Sequence, residues 1–283
     1  MLEFISPPSV RQYKQFIHDN ITQRLALYKE QASSPEEVRR QDMFYFLCEA
    51  RDPETGLPAY NENELRAESN LLIIAGSDTT AISLSGIFFY LTGNLERYQK
   101  LVHEIRTTFP LADDIILGPK LSGCIYLRAC IDEGVRLTPS GPCELPREVL
   151  AGGINVKGRY YPERTILGTV PWVNSRSKVA YGDADTFRPE RWIADDTPGS
   201  KESVAWMRSN FHPFAAGPGS CLGKNLAMAE MMLTLARTLH RLDFRRTPGS
   251  LLGCDPSDKS QFELEDAYIS LRKGPELQFR KRV

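Results

Sequence analysis

Apolar residues recur at Val10, Tyr13, Ile17, Ile21, Leu25 and Tyr28, three or four positions apart behind Ser9. That period predicts an amphipathic helix. Ser34-Pro35-Glu36-Glu37 places a proline at a first helical position with acids in the first turn, so a second helix start is expected there. Asp52-Pro53-Glu54-Thr55-Gly56 reads as a loop. An acidic turn or two from Glu62 leads into the apolar run Leu71–Leu91, one long helix over about 62–92. Asn94 stands as the N-cap of a further helix that Pro110 stops after Phe109, and Ile125–Leu137 is helical up to Pro139. The texture then changes. Short β-like runs at Ile154–Val156 and Thr165–Val170 alternate with Gly, Lys and Tyr-Pro, giving a β portion at about 145–170. Tyr181 to Ser200 is irregular, Leu222–Leu239 is helical again, and Ala267–Leu271 and Glu276–Arg280 are strand-like. With no repeat and no clear linker, the expectation is one domain, mainly α with a smaller β portion.

Leu71–Gly93 approaches membrane-spanning length. It carries Asp78 beside Thr79 and Thr80, with Ser77, Ser83 and Ser85 along it, and a charge in mid-bilayer is costly. It is therefore expected to be a buried core helix rather than a span. The N-terminus, Met-Leu-Glu-Phe-Ile-Ser-Pro-Pro, shows no basic or apolar region of a signal peptide. An intracellular location is expected, with association to the endoplasmic reticulum only through an N-terminal anchor. The Asn20-Ile21-Thr22 triplet falls inside a helical pattern and reads as chance.

Composition narrows the classes. The 283 residues are 41% hydrophobic and 25% charged, enough for a real core, and 35 Lys+Arg against 36 Asp+Glu leave a net charge of −1. There is no basic footprint for nucleic acid. Six cysteines are scattered with no C-x-x-C pair, and the four histidines (His18, His103, His212, His240) make no zinc spacing with them. That usage fits a reducing compartment.

Four local patterns carry candidate chemistry. Ala75-Gly76-Ser77-Asp78-Thr79-Thr80 interrupts the long helix with residues of poor helical propensity. Thr79 faces the carbonyl of Ala75, and back-bonding there is expected to open a local bulge that turns a hydroxyl and a carboxylate into an apolar core. The plain alternative is a helix contact that needs small residues. Glu133-Gly134-Val135-Arg136 sets an acid and a base at i and i+3, which alone reads as a surface ion pair. Phe187-Arg188-Pro189-Glu190-Arg191-Trp192 offers a second arginine that could close on Glu133, or else a turn with a solvated Arg. Phe214-Ala215-Ala216-Gly217-Pro218-Gly219-Ser220-Cys221-Leu222-Gly223 is a glycine-rich loop entering a helix at a cysteine. A helix start stabilises thiolate, and Gly217 and Gly223 let backbone approach something flat and bulky. A phosphate loop would need a hydroxyl residue after Lys224, where Asn225 stands.

Taken together and in this order, the patterns resemble the cytochrome P450 family of haem-thiolate monooxygenases. The resemblance implies that fold and a haem b cofactor. Cys221 matches the axial cysteine, the metal ligand, of the Phe-x-x-Gly-x-x-x-Cys-x-Gly signature, with Phe214, Gly217 and Gly223 as its other cofactor-contacting positions. Asp78 and Thr79 match the acid–alcohol pair of the oxygen-activation helix, and so imply a catalytic role in managing dioxygen and its protons. Glu133 and Arg136 match the Glu-x-x-Arg pair, and Arg191 the arginine that completes a structural triad with them. Arg147 in Leu145-Pro146-Arg147-Glu148 is similar to a propionate-binding arginine, and Ser140–Leu145 to a substrate-lining stretch. Lys224-Asn225-Leu226-Ala227 is similar in style to fungal members that tailor secondary metabolites.

There are two departures. The signature's basic residue two positions before the cysteine is Gly219 here, so Arg147 or His212 is expected to carry more of the propionate load. All matches also belong to the family's C-terminal half, from near residue 10 to Arg280, so the chain is expected to be a partial domain truncated at the N-terminus. The implied function is oxidation of an apolar small molecule with O2 and electrons from a separate reductase, because no flavin or nicotinamide fingerprint is present. The alternative is a truncated, catalytically inactive remnant. A haem-thiolate enzyme that rearranges its substrate without external electrons is disfavoured by the Asp78-Thr79 pair.

Overall fold

The structure is a computed structural model and describes residues 7–33 and 40–282. The helix start expected at Ser34–Glu37 lies outside the described residues. Among the described residues, ten α-helices run in chain order: α1 Pro8–Ser33, α2 Met43–Glu49, α3 Glu62–Gly93, α4 Leu95–Thr108, α5 Pro119–Ser122, α6 Ile125–Leu137, α7 Pro171–Ser175, α8 Lys178–Tyr181, α9 Ser200–Ser209 and α10 Lys224–Arg241. The same residues hold six short strands, β1 Arg147–Glu148, β2 Ile154–Val156, β3 Arg159–Tyr161, β4 Ile166–Leu167, β5 Leu242–Arg246 and β6 Leu277–Lys281. They form three two-stranded antiparallel sheets, β1 with β4, β2 with β3 and β5 with β6. The chain is mainly α with a smaller β portion, and it separates into two compact units, residues 1–77 and 78–283, divided within α3.

In the first unit, Ile17, Ile21 and Leu25 of α1 bury against Leu65 of α3, with Phe44, Leu47 and Tyr60 packed at the edge. Asn61 caps α3 by accepting from the amides of Asn63 and Glu64, while Glu64 accepts from the amide of Asn61 at 2.8 Å. This reciprocal box fixes the helix start. Asp42 caps α2 through the amide of Tyr45 and also takes both a 2.9 Å and a 2.8 Å bond from Arg24.

The expected burial of the long helix holds only for its second part. Leu65 and Ser69 are buried, one turn apart, but Leu71, Leu72, Ile73 and Ile74 are exposed, Leu71 by 58%. The stripe covered by α1 is narrow, whereas the sequence here is apolar all round. From Thr80 onward the helix enters the core through Ile82, Ile87, Phe89, Tyr90 and Leu91. By length and composition α3 is able to cross a membrane, with 22% of its most apolar window buried.

The core of the second unit gathers α3, α4, α6 and α10 through Ile87, Leu101, Ile105, Leu127, Ile131, Leu235 and Leu239. Two glycines set the approach of α3 and α6. A Cβ at Gly134 would fall inside the side chain of Ile87, and one at Gly86 inside that of Thr138. Arg106 of α4 ties the end of α10 to β5, donating to the Leu239 carbonyl at 2.9 Å and to Asp243 at 2.7 Å. β2 and β3 close through Lys157-Gly158, both at positive φ (51° and 82°), a two-residue turn suited to the strand twist. β5 pairs with β6 over five residues, Phe244 opposite Phe279. The tail before β6 is stitched down by Ser270, whose amide donates to the Ser140 carbonyl and whose hydroxyl donates to that of Pro139. Arg272 donates to Ser85 of α3 at 3.0 Å. The strand expected at Ala267–Leu271 is reduced to one bridge, Glu265 opposite Leu271.

Candidate functional site

α6 carries the first part of the site. Its N-terminal amides are not satisfied by their own cap residue. Instead Glu104 of α4 accepts from Tyr126 and Leu127 at 2.8 and 2.7 Å, placing a carboxylate at the positive end of the helix. Two turns later Glu133 and Arg136 meet with both side chains fully buried. Arg136 grips the carboxylate with Nε and Nη2 at 2.9 and 2.8 Å. Arg191 adds its Nε at 3.0 Å, so the structure brings all three residues of the expected triad together. Two further donors complete the shell: the Arg188 amide at 2.8 Å and Trp192 Nε1 at 3.0 Å. A buried carboxylate with this many donors is compensated rather than stranded.

The arginines reach outward as well. Arg136 donates to the carbonyls of Ser175, Ala184 and Thr186, and Arg191 to those of Tyr181, Asp183 and Thr186. This irregular stretch has no ladder to satisfy its carbonyls, and the guanidinium forks take that place. Asp183 bridges Arg188 and Arg191 at 2.9 and 3.0 Å, and sequence reasoning missed it because it lies outside the quoted motif. Trp192 lay inside that motif, so its part could have been read. The Arg136 guanidinium stands 4.9 Å from the Tyr181 ring centroid. Burial pushes the Tyr181 hydroxyl up to about 12, against the lowering influence of Arg136.

The cysteine loop is held by its own backbone. The Cys221 amide donates to the Phe214 carbonyl at 2.9 Å and that of Ser220 to the Gly217 carbonyl at 3.0 Å. Gly217 sits at φ 72°, a left-handed position suited to glycine. Phe214 is half-buried against the core of the second unit, whereas Cys221 is an exposed free thiol. The helix expected from Leu222 begins at Lys224, with Gly223 as its cap, so Cys221 precedes it rather than opening it. The sulfur lies 3.7 Å from where a Cβ on Gly223 would be, and Arg147 Nη2 lies 3.4 Å from the missing Cβ of Gly219. Arg147 therefore stands beside the cysteine loop. His212 is engaged elsewhere, its Nε2 bonded to the Ser209 carbonyl at 3.0 Å.

Asp78 and Thr79 fall where α3 passes from exposed to buried. Asp78 is exposed, Thr79 half-buried and Thr80 buried. The expected bulge is absent, since α3 is continuous from Glu62 to Gly93. Hydroxyls along it, such as Ser69 and Ser85, share the carbonyl four residues back without displacing the amide ladder. Nor does Asp78 point into an apolar core. The Ser140–Leu145 stretch is fixed by the tail, through Ser270 and through Cys143, whose thiol lies 3.7 Å from the Tyr268 carbonyl.

Comparison with known proteins identifies the family. The sequence model of the family described as Cytochrome P450 matches residues 1–258. The cytochrome P450 monooxygenase poxM of Penicillium oxalicum is 37% identical over 255 residues, covering 90% of this chain and 47% of the relative. The cytochrome P450 monooxygenase apf7 of Gibberella fujikuroi is 38% identical over 261 residues, covering 88% of this chain and 49% of the relative. The chain thus spans about half the length of these two curated relatives. A crystal structure of a cytochrome P450 superposes with a TM-score of 0.75 over 95% of this chain and 56% of that one, at 21% identity. The backbone arrangement, the ordered motifs and these matches together place the chain in the cytochrome P450 family.

Proposed function

We propose that the protein acts as a haem-dependent monooxygenase on an apolar small molecule, and that the chain forms part of one domain of that kind. The observation that carries the reading is the cysteine loop: one exposed thiol between glycines, with the Arg147 guanidinium beside it. That donor set fits haem b, which needs one thiolate for the iron and a cation for a propionate. Cys221 would ligate the iron, Arg147 would hold a propionate, and Phe214, Gly217 and Gly223 would leave a flat surface against the ring. When bound, haem supplies the redox chemistry that inserts one oxygen atom of O2 into substrate and releases the other as water, with electrons from a separate reductase. The chain's own residues do the rest. Thr79 would hold and pass a proton at its hydroxyl, Asp78 would bring protons from water at the exposed end of that stretch, and Ser140–Leu145 would line the substrate. Glu133, Arg136 and Arg191 would keep the segment ahead of the cysteine loop in place. The likeness of Lys224-Asn225-Leu226-Ala227 to fungal members that tailor secondary metabolites makes a secondary metabolite the proposed substrate class.

The test is the ferrous carbonyl spectrum of the haem-loaded chain. Cys221→Ser should abolish its thiolate signature while Cys143→Ser and Cys130→Ser keep it; the reverse pattern removes the assignment. A second reading, a haem-binding chain without turnover, is favoured by the exposed row Leu71–Ile74, an apolar surface open to water on α3. Turnover with a reductase separates the two. Coupled product formation supports the enzyme, and peroxide release without product supports the remnant.

A further inference from the structure

The first unit carries a groove between α1 and α3 that the chemistry above does not use. Its volume is about 460 Å³, within the range of small-molecule sites. Polar ties at one end set its direction. Arg66 donates to Thr22 at 3.0 Å and Lys29 to Glu62 at 3.3 Å, so the two helices run antiparallel. Arg66 therefore marks one end of the groove, and Ile74 of α3 comes opposite Val10 and Tyr13 at the other. From Val10 to Ile21 the trough follows α1 for about 16 Å, at 1.5 Å per residue. Spacings of three and four put Val10, Tyr13, Ile17 and Ile21 on one stripe of α1. Lys14 and His18, one turn apart, form a second stripe beside it. Ile17 and Ile21 are buried at the floor, while Val10, Tyr13 and Ile74 stay exposed. No carboxylate lines the groove. Arg66 is matched by Glu62 at 3.0 Å, whereas Lys14 is exposed and makes no ion pair among the described residues. An apolar trough with an unmatched ammonium on its rim is complementary to an alkyl chain that ends in a carboxylate. The chain covers exposed apolar surface, and the head group meets Lys14 without leaving water. A neutral ligand leaves Lys14 unmatched, and a cationic one is repelled.

We propose that the groove between α1 and α3 is a binding site for a single-chain aliphatic carboxylate, its tail along Val10, Tyr13, Ile17 and Ile74 and its head group on Lys14. The site uses residues of the first unit alone. It therefore stands or falls apart from the haem reading.

The test uses the full chain, haem-free and haem-loaded, and titration calorimetry with octanoate, decanoate and dodecanoate below their micelle concentrations. Decan-1-ol and decyltrimethylammonium are the neutral and cationic probes of matching chain. Affinity for the carboxylates should rise about fourfold per added methylene, the value of one buried CH₂. Decanoate should bind about tenfold more tightly than decan-1-ol, the range of one charge-assisted bond, and the ammonium most weakly. Lys14→Ala should erase the preference for decanoate over decan-1-ol while keeping the chain-length dependence, and Lys14→Arg should keep both. Ile74→Asn should flatten the chain-length dependence. Both positions are exposed, so the variants should fold as the unaltered chain does, which circular dichroism checks. A preference for decanoate that survives Lys14→Ala, equal affinity at all chain lengths, binding that requires haem, or association only with vesicles of anionic phospholipid overturns the proposal. None of these results touches the haem reading, which falls instead if the unaltered chain lacks a thiolate-type carbonyl spectrum.

Discussion

Removing the Glu133 carboxylate tests the buried triad most directly. Glu133→Ala would leave Arg136 and Arg191 facing each other in a site where both side chains are fully buried. Breaking a buried pair in this way typically costs about 3–5 kcal/mol. The Arg188 amide and Trp192 Nε1 would also lose their acceptor, at about 1–3 kcal/mol each. The total is comparable to the entire net stability of a domain, about 5–15 kcal/mol. Glu133→Ala is therefore expected not to fold. Glu133→Gln, which keeps one acceptor oxygen but no charge, should fold with stability lowered by about 3 kcal/mol or more. Replacing the arginines by hydrophobes should not rescue the loss, because the carbonyls of Ser175, Tyr181, Asp183, Ala184 and Thr186 would lose their donors. The assay is urea unfolding followed by Trp fluorescence and far-ultraviolet circular dichroism. A Glu133→Ala protein whose stability falls by less than about 1 kcal/mol would refute the reasoning, as would an Arg136→Met/Arg191→Met/Glu133→Leu triple variant as stable as the unaltered chain.

Further expectations follow from the same structure. Gly134→Ala should cost about 1–3 kcal/mol through its clash with Ile87, and Ile87→Ala in the same chain should recover part of that loss in urea midpoints. Arg106 holds the Asp243 carboxyl below its ordinary value of 3.8, chiefly by the hydrogen bond between them. Stability from that pair is complete above the ordinary value and is lost as pH falls through the depressed one, so Asp243→Asn should flatten this acid limb of the unfolding profile. In a haem-loaded, turning-over protein, Thr79→Ala should raise peroxide yield per electron without changing haem content; unchanged coupling would make the hydroxyl structural.

What could be read from sequence was what is local. α6 was legible because Pro139 and a 3.6-residue pattern bound it, and the i, i+3 spacing of Glu133 and Arg136 put them on one face. Arg191 was legible only as a partner in waiting, since nothing local says that it closes on Glu133. β5 was missed because Leu-Asp-Phe-Arg-Arg follows directly on α10, and its reason for being a strand is a partner at Leu277–Lys281. α9 was missed because Ser-Lys-Glu-Ser-Val-Ala-Trp-Met-Arg-Ser buries little beyond Met207. The exposure of Leu71–Ile74 could not be foreseen either. A run apolar on every side does not say which side has a neighbour.

The stitched tail has a consequence for chain continuity. The segment from Gln261 to Arg282 is attached to the body by the β5–β6 ladder, the two bonds of Ser270 and the Arg272–Ser85 contact. Just ahead of it, residues 256–260 form an exposed turn knotted by Asp255 and Asp258 to their own neighbours. A single peptide cut in that turn would sever the covalent thread but none of the bonds that seat the tail. The two pieces should then stay together as a non-covalent pair, and the shorter one should re-associate with a body lacking it by adding a strand to the free edge of β5.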